Sequence, residues 1–435
     1  MAGAEGVLAR LRGVPARLRR GRIAQRLAAR TLREARGALT SLVLGLARPR
    51  ADRVAIATLN ADEENATVTA VRIAQREPGV AIAFVSPDPE LARTAVAEAA
   101  RCLGAPVPAG ISFVRDRYAP LLRAFAGSAR TFTTHVMLPG IDRSGRRVHT
   151  HLTHGSGPKP DTTFRGPTTV LASITDAWVP AQLREYRLPA RTPVVREMPR
   201  LEVMRRAAGD RTVFARMGLD PERPVLVWAP TYRAIERPGG EVRVSGTRFT
   251  PSPRSLSPSP RSLSLSSRSQ SPSSRSLSLS KGAGSDRPAG STTPLTVDAL
   301  RDIAEAHGWT CVAKPHPRDA DDLRDLGLPV FTNDDLRRCG VTPYELFGAA
   351  DLLLTDYSSV FTERAELGLP YALWRPDLDE FASSYRGFRK PASMERGSES
   401  SVKTVCEAAR IMSLMNDRPS RTCPPSKLCE AKEEY

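Results

Sequence analysis

Four short segments carry residue types and spacings suited to phosphate chemistry. The first is His154-Gly155-Ser156-Gly157-Pro158-Lys159. An imidazole takes a proton near neutral pH, and glycines let the backbone approach a ligand closely. Lys159 adds a cation. The second is Ala229-Pro230-Thr231-Tyr232-Arg233, which places a hydroxyl and a guanidinium together for an anion. In the third, Lys314-Pro315-His316-Pro317, two prolines stiffen the loop that carries a Lys and a His. The fourth is Thr355-Asp356-Tyr357-Ser358-Ser359, with serines where a helix would begin and backbone N–H groups lie free for phosphate. Taken singly, each also reads as an ordinary turn or N-cap, and His149 and His151 read as ordinary strand residues. The Gly-rich phosphate loop of common ATPases is missing, as is a dinucleotide fingerprint. No carboxylate cluster calls for a metal, no Cys/His cluster has zinc spacing, and no cofactor is expected.

The elements around these segments alternate between apolar runs and stretches of helical length. Residues 54–59, 80–85, 111–114, 131–136, 148–152 and 170–174 read as buried parallel strands of a Rossmann-like domain over 51–195. A second alternation occupies 196–390, with strands at 225–228, 310–313, 329–332, 352–355 and 370–374. Its helices fall at 297–307, 344–350 and 360–367. All four segments follow strands. Two α/β domains of this kind face their strand ends into one cleft.

The chain has 435 residues and a net charge of +17, a balance that implies anionic partners. Its low aromatic content argues against stacking platforms for single-stranded nucleic acid, and no nucleic-acid partner is expected. Residues 1–50 hold twelve Arg and two Glu, with leucines at helical spacing. That arm reads as an amphipathic helix on an anionic membrane, as a helix docked on its own domain, as a disordered basic arm, or as a transit peptide. The apolar run 38–47 is too short to span a bilayer. Six cysteines without a CxxC pair suit a reducing cytoplasm. Residues 253–280 repeat a seven-residue Ser/Arg/Pro unit four times, within a disordered insertion over about 240–292. The tail 391–435 is weakly patterned and receives no role.

The four segments, in this order, resemble the CDP-glycerol glycerophosphotransferase family of teichoic-acid primases and polymerases. Its loops read HGT-x-x-K, APTxR, KPHP and TDYSS. The resemblance covers about 150–390 and implies a GT-B-like fold of two Rossmann-like domains. It implies transfer of glycerol phosphate or a related polyol phosphate from CDP-glycerol or CDP-ribitol to a lipid-linked polyol-phosphate or glycan acceptor, with release of CMP. His154 becomes the base, and His316 contacts the donor diphosphate with Arg233, Ser358 and Ser359. Gly155, Lys159, Thr231, Lys314, Thr355, Asp356 and Glu363 complete the donor and phosphate side. The implied location is cytoplasmic, on the inner face of the cell membrane. Ser156 replaces the family's Thr, Pro199-Arg200-Leu201-Glu202 stands where PRND is usual, and Glu363 replaces Asp. Two further readings remain: a GT-B glycosyltransferase using a nucleotide sugar, and a non-catalytic basic protein that binds membranes or polyanions.

Overall fold

The computed structural model describes residues 16–135, 137–153, 155, 166–174, 176, 178–196, 198–231, 234–236, 242–244, 295–316, 327–375, 402 and 405–416. The repeat at 253–280 and residues 1–15 lie outside them.

The first sheet has seven parallel strands: β1 (Arg50–Ala57), β2 (Ala81–Ser86), β3 (Ile111–Arg115), β4 (Ser128–Thr133), β5 (Val148–His151), β6 (Val170–Ala172) and β7 (Val194–Val195). Their order is β3-β2-β1-β4-β5-β6-β7. The sequence steps outward from β1 in both directions, so a switch point lies between β1 and β4, where ligands of open α/β sheets gather. Helices α2 (Glu64–Arg76) and α3 (Pro89–Cys102) cross between β1, β2 and β3, and α4 (Tyr118–Gly127) leads into β4. Asp88 caps α3 by accepting from Glu90 N and Leu91 N, and Pro89 opens that helix.

The second sheet is built from β8 (Val225–Ala229), β11 (Thr310–Ala313), β12 (Leu352–Thr355) and β13 (Tyr371–Leu373), in the parallel order β11-β8-β12-β13. A separate short hairpin pairs β9 (Ala234–Glu236) with β10 (Val242–Val244). β8 and β12 are buried along their whole length, which is why they read as unbroken apolar runs. Short helices connect these strands and lead into them from the first domain: α5 (Val179–Glu185), α6 (Arg200–Ala207), α7 (Thr212–Arg216), α8 (Val297–Ala306) and α9 (Asn333–Arg338). They are followed by α10 (Pro343–Ala349) and α11 (Val360–Glu366). Capping boxes start α9 (Thr332 with Asp335) and α10 (Thr342 with Glu345). Gly348 lets α10 press on α6, because a Cβ there would strike the Met204 carbonyl.

Two expectations are corrected. Residues 329–332 form no strand; only Val330 bridges Ala313. Thr332 is already committed to capping α9, so the chain leaves the sheet at once. The tail is not without a role. Its helix α12 (Val405–Asn416) buries Ala408 and Met412 in the same core as Trp309, and Trp309 Nε1 donates to Asn416 at 2.8 Å.

The basic arm forms α1 (Ala16–Leu46). Its last turns dock on the first domain: Thr40 and Leu44 are fully buried, and Leu44 joins Leu121, Leu122 and Phe125. Arg147, itself buried, closes the end of α1 by donating to the carbonyls of Leu44 (2.6 Å) and Ala47 (2.9 Å). A cation on the last carbonyls also meets the negative end of the helix dipole. Leu32, Leu39, Leu42 and Leu46 remain exposed. Among the described residues no helix is long and apolar enough to cross a membrane.

Candidate active site between the two sheets

Four strand ends, those of β5, β8, β11 and β12, lead into the signature segments. β5 ends at His151, and the chain then passes through Thr153, whose φ is +58°, toward Gly155. The Thr153 carbonyl accepts from the Asn65 amide at 3.3 Å. Asn65 Oδ1 in turn accepts from the Arg200 backbone N–H at 3.2 Å. The chain segment after β5 is thereby fastened to α2 and α6. His154, Lys159 and Arg233 lie outside the described residues.

On the second sheet, Asp356 ties two segments together. Both its carboxylate oxygens accept from Thr231 N at 3.0 Å, and Oδ1 also accepts from Tyr357 N at 2.5 Å. Thr355 donates its hydroxyl to the Ala229 carbonyl at 2.6 Å. These bonds are buried and hold the ends of β8 and β12 in register. Lys314 is buried after β11 and donates to the Pro315 carbonyl at 3.0 Å. Burial lowers its pKa to about 8, against the pull of Asp62 and Glu64 across the domain boundary. The expected donor residues therefore divide. His316 is exposed, and Ser358, Ser359 and Gly155 are partly so. Thr231, Lys314, Thr355 and Asp356 are buried beneath them.

The two halves touch at Gly155. A Cβ built on Gly155 would collide with the Ser359 side chain, and it would stand 3.5 Å from Arg200 Nη2. Only glycine permits this approach. Gly155 is thus laid directly on Ser359.

Beneath that contact lies a buried ionic cluster. Arg200 donates from Nη1 to Glu63 Oε1 at 3.0 Å and from Nη2 to Glu363 Oε1. Its guanidinium also sits 4.6 Å from the Tyr344 ring centroid. Burial works against the charge on Arg200, but Glu363, Tyr344 and Glu63 outweigh it and raise its pKa. Glu363, expected at the donor, has a fully buried carboxylate bonded to Arg200. Glu64 accepts from Tyr344 N at 3.2 Å, and burial pushes its carboxyl up to about 8. More ion pairs cross the same boundary: Arg101 with Glu345 at 2.6 Å and Arg337 with Asp62 at 3.2 Å.

Glu63, Glu64 and Arg200 were not among the expected site residues. The signal available in sequence was the run Glu63-Glu64-Asn65 just after the first strand, the place where an α/β sheet faces its cleft. Arg200 registers in sequence only as part of Pro199-Arg200-Leu201-Glu202. His149, read as an ordinary strand residue, is buried between Thr131 (2.7 Å) and Asp142 (3.0 Å). Burial lowers its pKa, and Asp142 opposes that shift.

A model of the CDP-Glycerol:Poly(glycerophosphate) glycerophosphotransferase family matches residues 178–397. No curated protein sequence matches the chain. Among solved structures, the wall teichoic acid polymerase TagF superposes with a TM-score of 0.54 at 13% identity, covering 92% of this chain and 89% of that one. A histidine-to-asparagine variant of TagF soaked with CDPG gives a TM-score of 0.53 at 13% identity, covering 93% and 89%. The fold is GT-B-like, two facing α/β sheets, and the described residues of the signature segments stand at strand carboxyl ends. The match spans half the chain and takes in three of the four segments, so the chain belongs to the CDP-glycerol:poly(glycerophosphate) glycerophosphotransferase family.

Proposed function

We propose that the protein transfers glycerol phosphate, or a related polyol phosphate, from a CDP-polyol to a hydroxyl of a teichoic-acid-like polymer. The observation that carries this reading is the contact of Gly155 with Ser359, which joins a first-domain segment to a second-domain segment in one cleft. His154 takes the proton of the acceptor hydroxyl. The resulting oxygen attacks the phosphorus that bears the polyol, the bond from that phosphorus to the CMP phosphate oxygen breaks, and CMP leaves. His316, Arg233, Lys159, Ser358 and Ser359 meet the charge spread over the phosphate oxygens. Thr231, Thr355, Asp356 and Lys314 keep these segments in place from below. The acceptor is lipid-linked, and the exposed leucines of α1 together with the arm's arginines hold the enzyme on an anionic membrane surface.

The test is a pair of histidine variants. His154→Ala should keep CDP-glycerol binding while kcat falls by roughly 10²–10⁴-fold, the scale of general-base catalysis. His316→Ala should weaken donor binding as well as turnover. Titration calorimetry beside a CMP-release assay separates the two. Near-normal turnover in folded His154→Ala protein would remove the mechanism.

A further inference from the structure

We infer that Arg200 is a positioning residue for the transfer reaction, a two-pronged clamp that sets the distance between the acceptor-side and donor-side segments. The inference rests on the function proposed above. Three observations meet at this side chain. First, its partners come from both domains: Glu63 stands at the end of the loop after β1, and Glu363 lies in α11, directly after Ser359. Second, it lies under the contact that joins the domains, with Nη2 3.5 Å from where a Gly155 Cβ would be. Third, its own backbone N–H holds Asn65, which holds the Thr153 carbonyl one residue before His154. A shift of Arg200 therefore moves both segments relative to each other.

The chemistry of the pair favours positioning over simple stabilisation. The guanidinium and both carboxylates are almost fully buried, and burying charges costs free energy that the attraction barely returns. What such a cluster supplies is geometry, because the planar fork fixes two carboxylates at set directions. Nothing here asks Arg200 to touch the donor, whose expected contacts lie on His316, Ser358 and Ser359.

The experiment compares Arg200→Lys, Arg200→Gln and Glu63→Gln. Lysine retains the charge and the fold but cannot span both carboxylates. In each folded variant kcat should fall about 10- to 100-fold, the scale of a misplacement near 1 Å, with CDP-glycerol affinity changed less than about threefold. The double variant Arg200→Gln/Glu63→Gln should lose no more than the worse single one, because both break one device. Unchanged kcat in folded protein, full recovery in Arg200→Lys, loss of donor affinity in step with kcat, or multiplicative losses in the double variant would each overturn the inference. If wild-type protein releases no CMP from any CDP-polyol, the proposed function fails instead. Small-angle scattering then decides the clamp: a larger radius of gyration in Arg200→Gln supports it, and an unchanged radius overturns it.

Discussion

Arg147 and Arg200 are both almost completely buried, yet they hold different kinds of structure. Arg147 serves one domain. It donates to the carbonyls of Leu44, Ala47 and Ala126 and pairs with Asp142 at 3.2 Å. Its partners are mostly neutral oxygens of backbone that has nowhere else to go. Arg200 serves two domains, and its partners are carboxylates 137 and 163 residues away in sequence. The first arrangement satisfies a helix end and fixes the arm to the sheet. The second fixes one sheet against the other. The lesson is that equal burial does not mean equal purpose: the identity of the partners says whether stability or geometry is at stake.

The comparison breaks most easily at Arg147. Replacing it with alanine leaves three carbonyls unsatisfied and takes the cation from Asp142, which keeps His149 and Ser144 N, so the loss should be about 3–5 kcal/mol, at about 1–3 kcal/mol for each buried unsatisfied group. Thermal unfolding should show a fall of roughly 10 °C. Limited proteolysis should cut near residues 46–50 as α1 comes loose. If Arg200→Lys lowers the melting temperature as much as Arg147→Ala and leaves kcat alone, the two arginines do the same job and the distinction is void.

A second substitution sharpens the geometric side without touching a charge. Gly155→Ala adds one methyl where the Ser359 side chain already stands. The chain after β5 has to retreat, and kcat should drop about tenfold or more while the melting temperature stays nearly constant. A Gly155→Ala enzyme with full activity would show that the two segments need not touch during turnover.

The strands of both sheets were legible in sequence because buried parallel strands are apolar on both faces, as in β8 and β12. β7, only two residues long, left no such signature. Helix α2 read as a polar stretch, and it is polar: Glu64, Asn65, Thr67 and Thr69 are nonetheless buried, because the second domain covers them and they bond one another and the chain after β5. Residues 329–332 misled because Pro329 and Phe331 do make two ladder bonds to Ala313 before Thr332 turns away to cap α9. α12 was hidden behind an unpatterned stretch and is recognisable only from the core it completes. The four signature segments were legible as a set. Which of their residues face the cleft and which act as struts depends on partners far off in the chain, so Asp356 and Glu363 could not be sorted by spacing. The Arg200 cluster was illegible for the same reason.

The smallest effect separates the two clusters by pH. Glu64 lies beside Arg200 and Glu63, and Thr342 and Tyr344 N face it from α10 and its cap. Its pKa is raised in the folded protein from 4.5 to about 8, with burial as the main cause. The folded chain therefore binds more protons than the unfolded chain between those values. Its stabilising share is complete below about pH 4.5 and is lost as pH climbs toward 8. Lys314, lowered by burial to about 8, acts in the adjoining window with the opposite sign: stability gains as pH rises from about 8 toward 10.5. On the Arg147 side, burial lowers the pKa of His149, so that cluster loses stability as the medium turns acidic below its unfolded value. Glu64→Gln keeps the shape and removes the titration. Its melting temperature should gain on wild type by a few degrees between pH 5 and pH 8. The acid limb set by His149 should remain unchanged. Melting curves of the two proteins that run parallel across pH 5–8 would mean that Glu64 is charged in the folded state. The cluster around Arg200 would then carry one more negative charge than the geometry described here, and its attraction for Lys314 would have to be drawn anew.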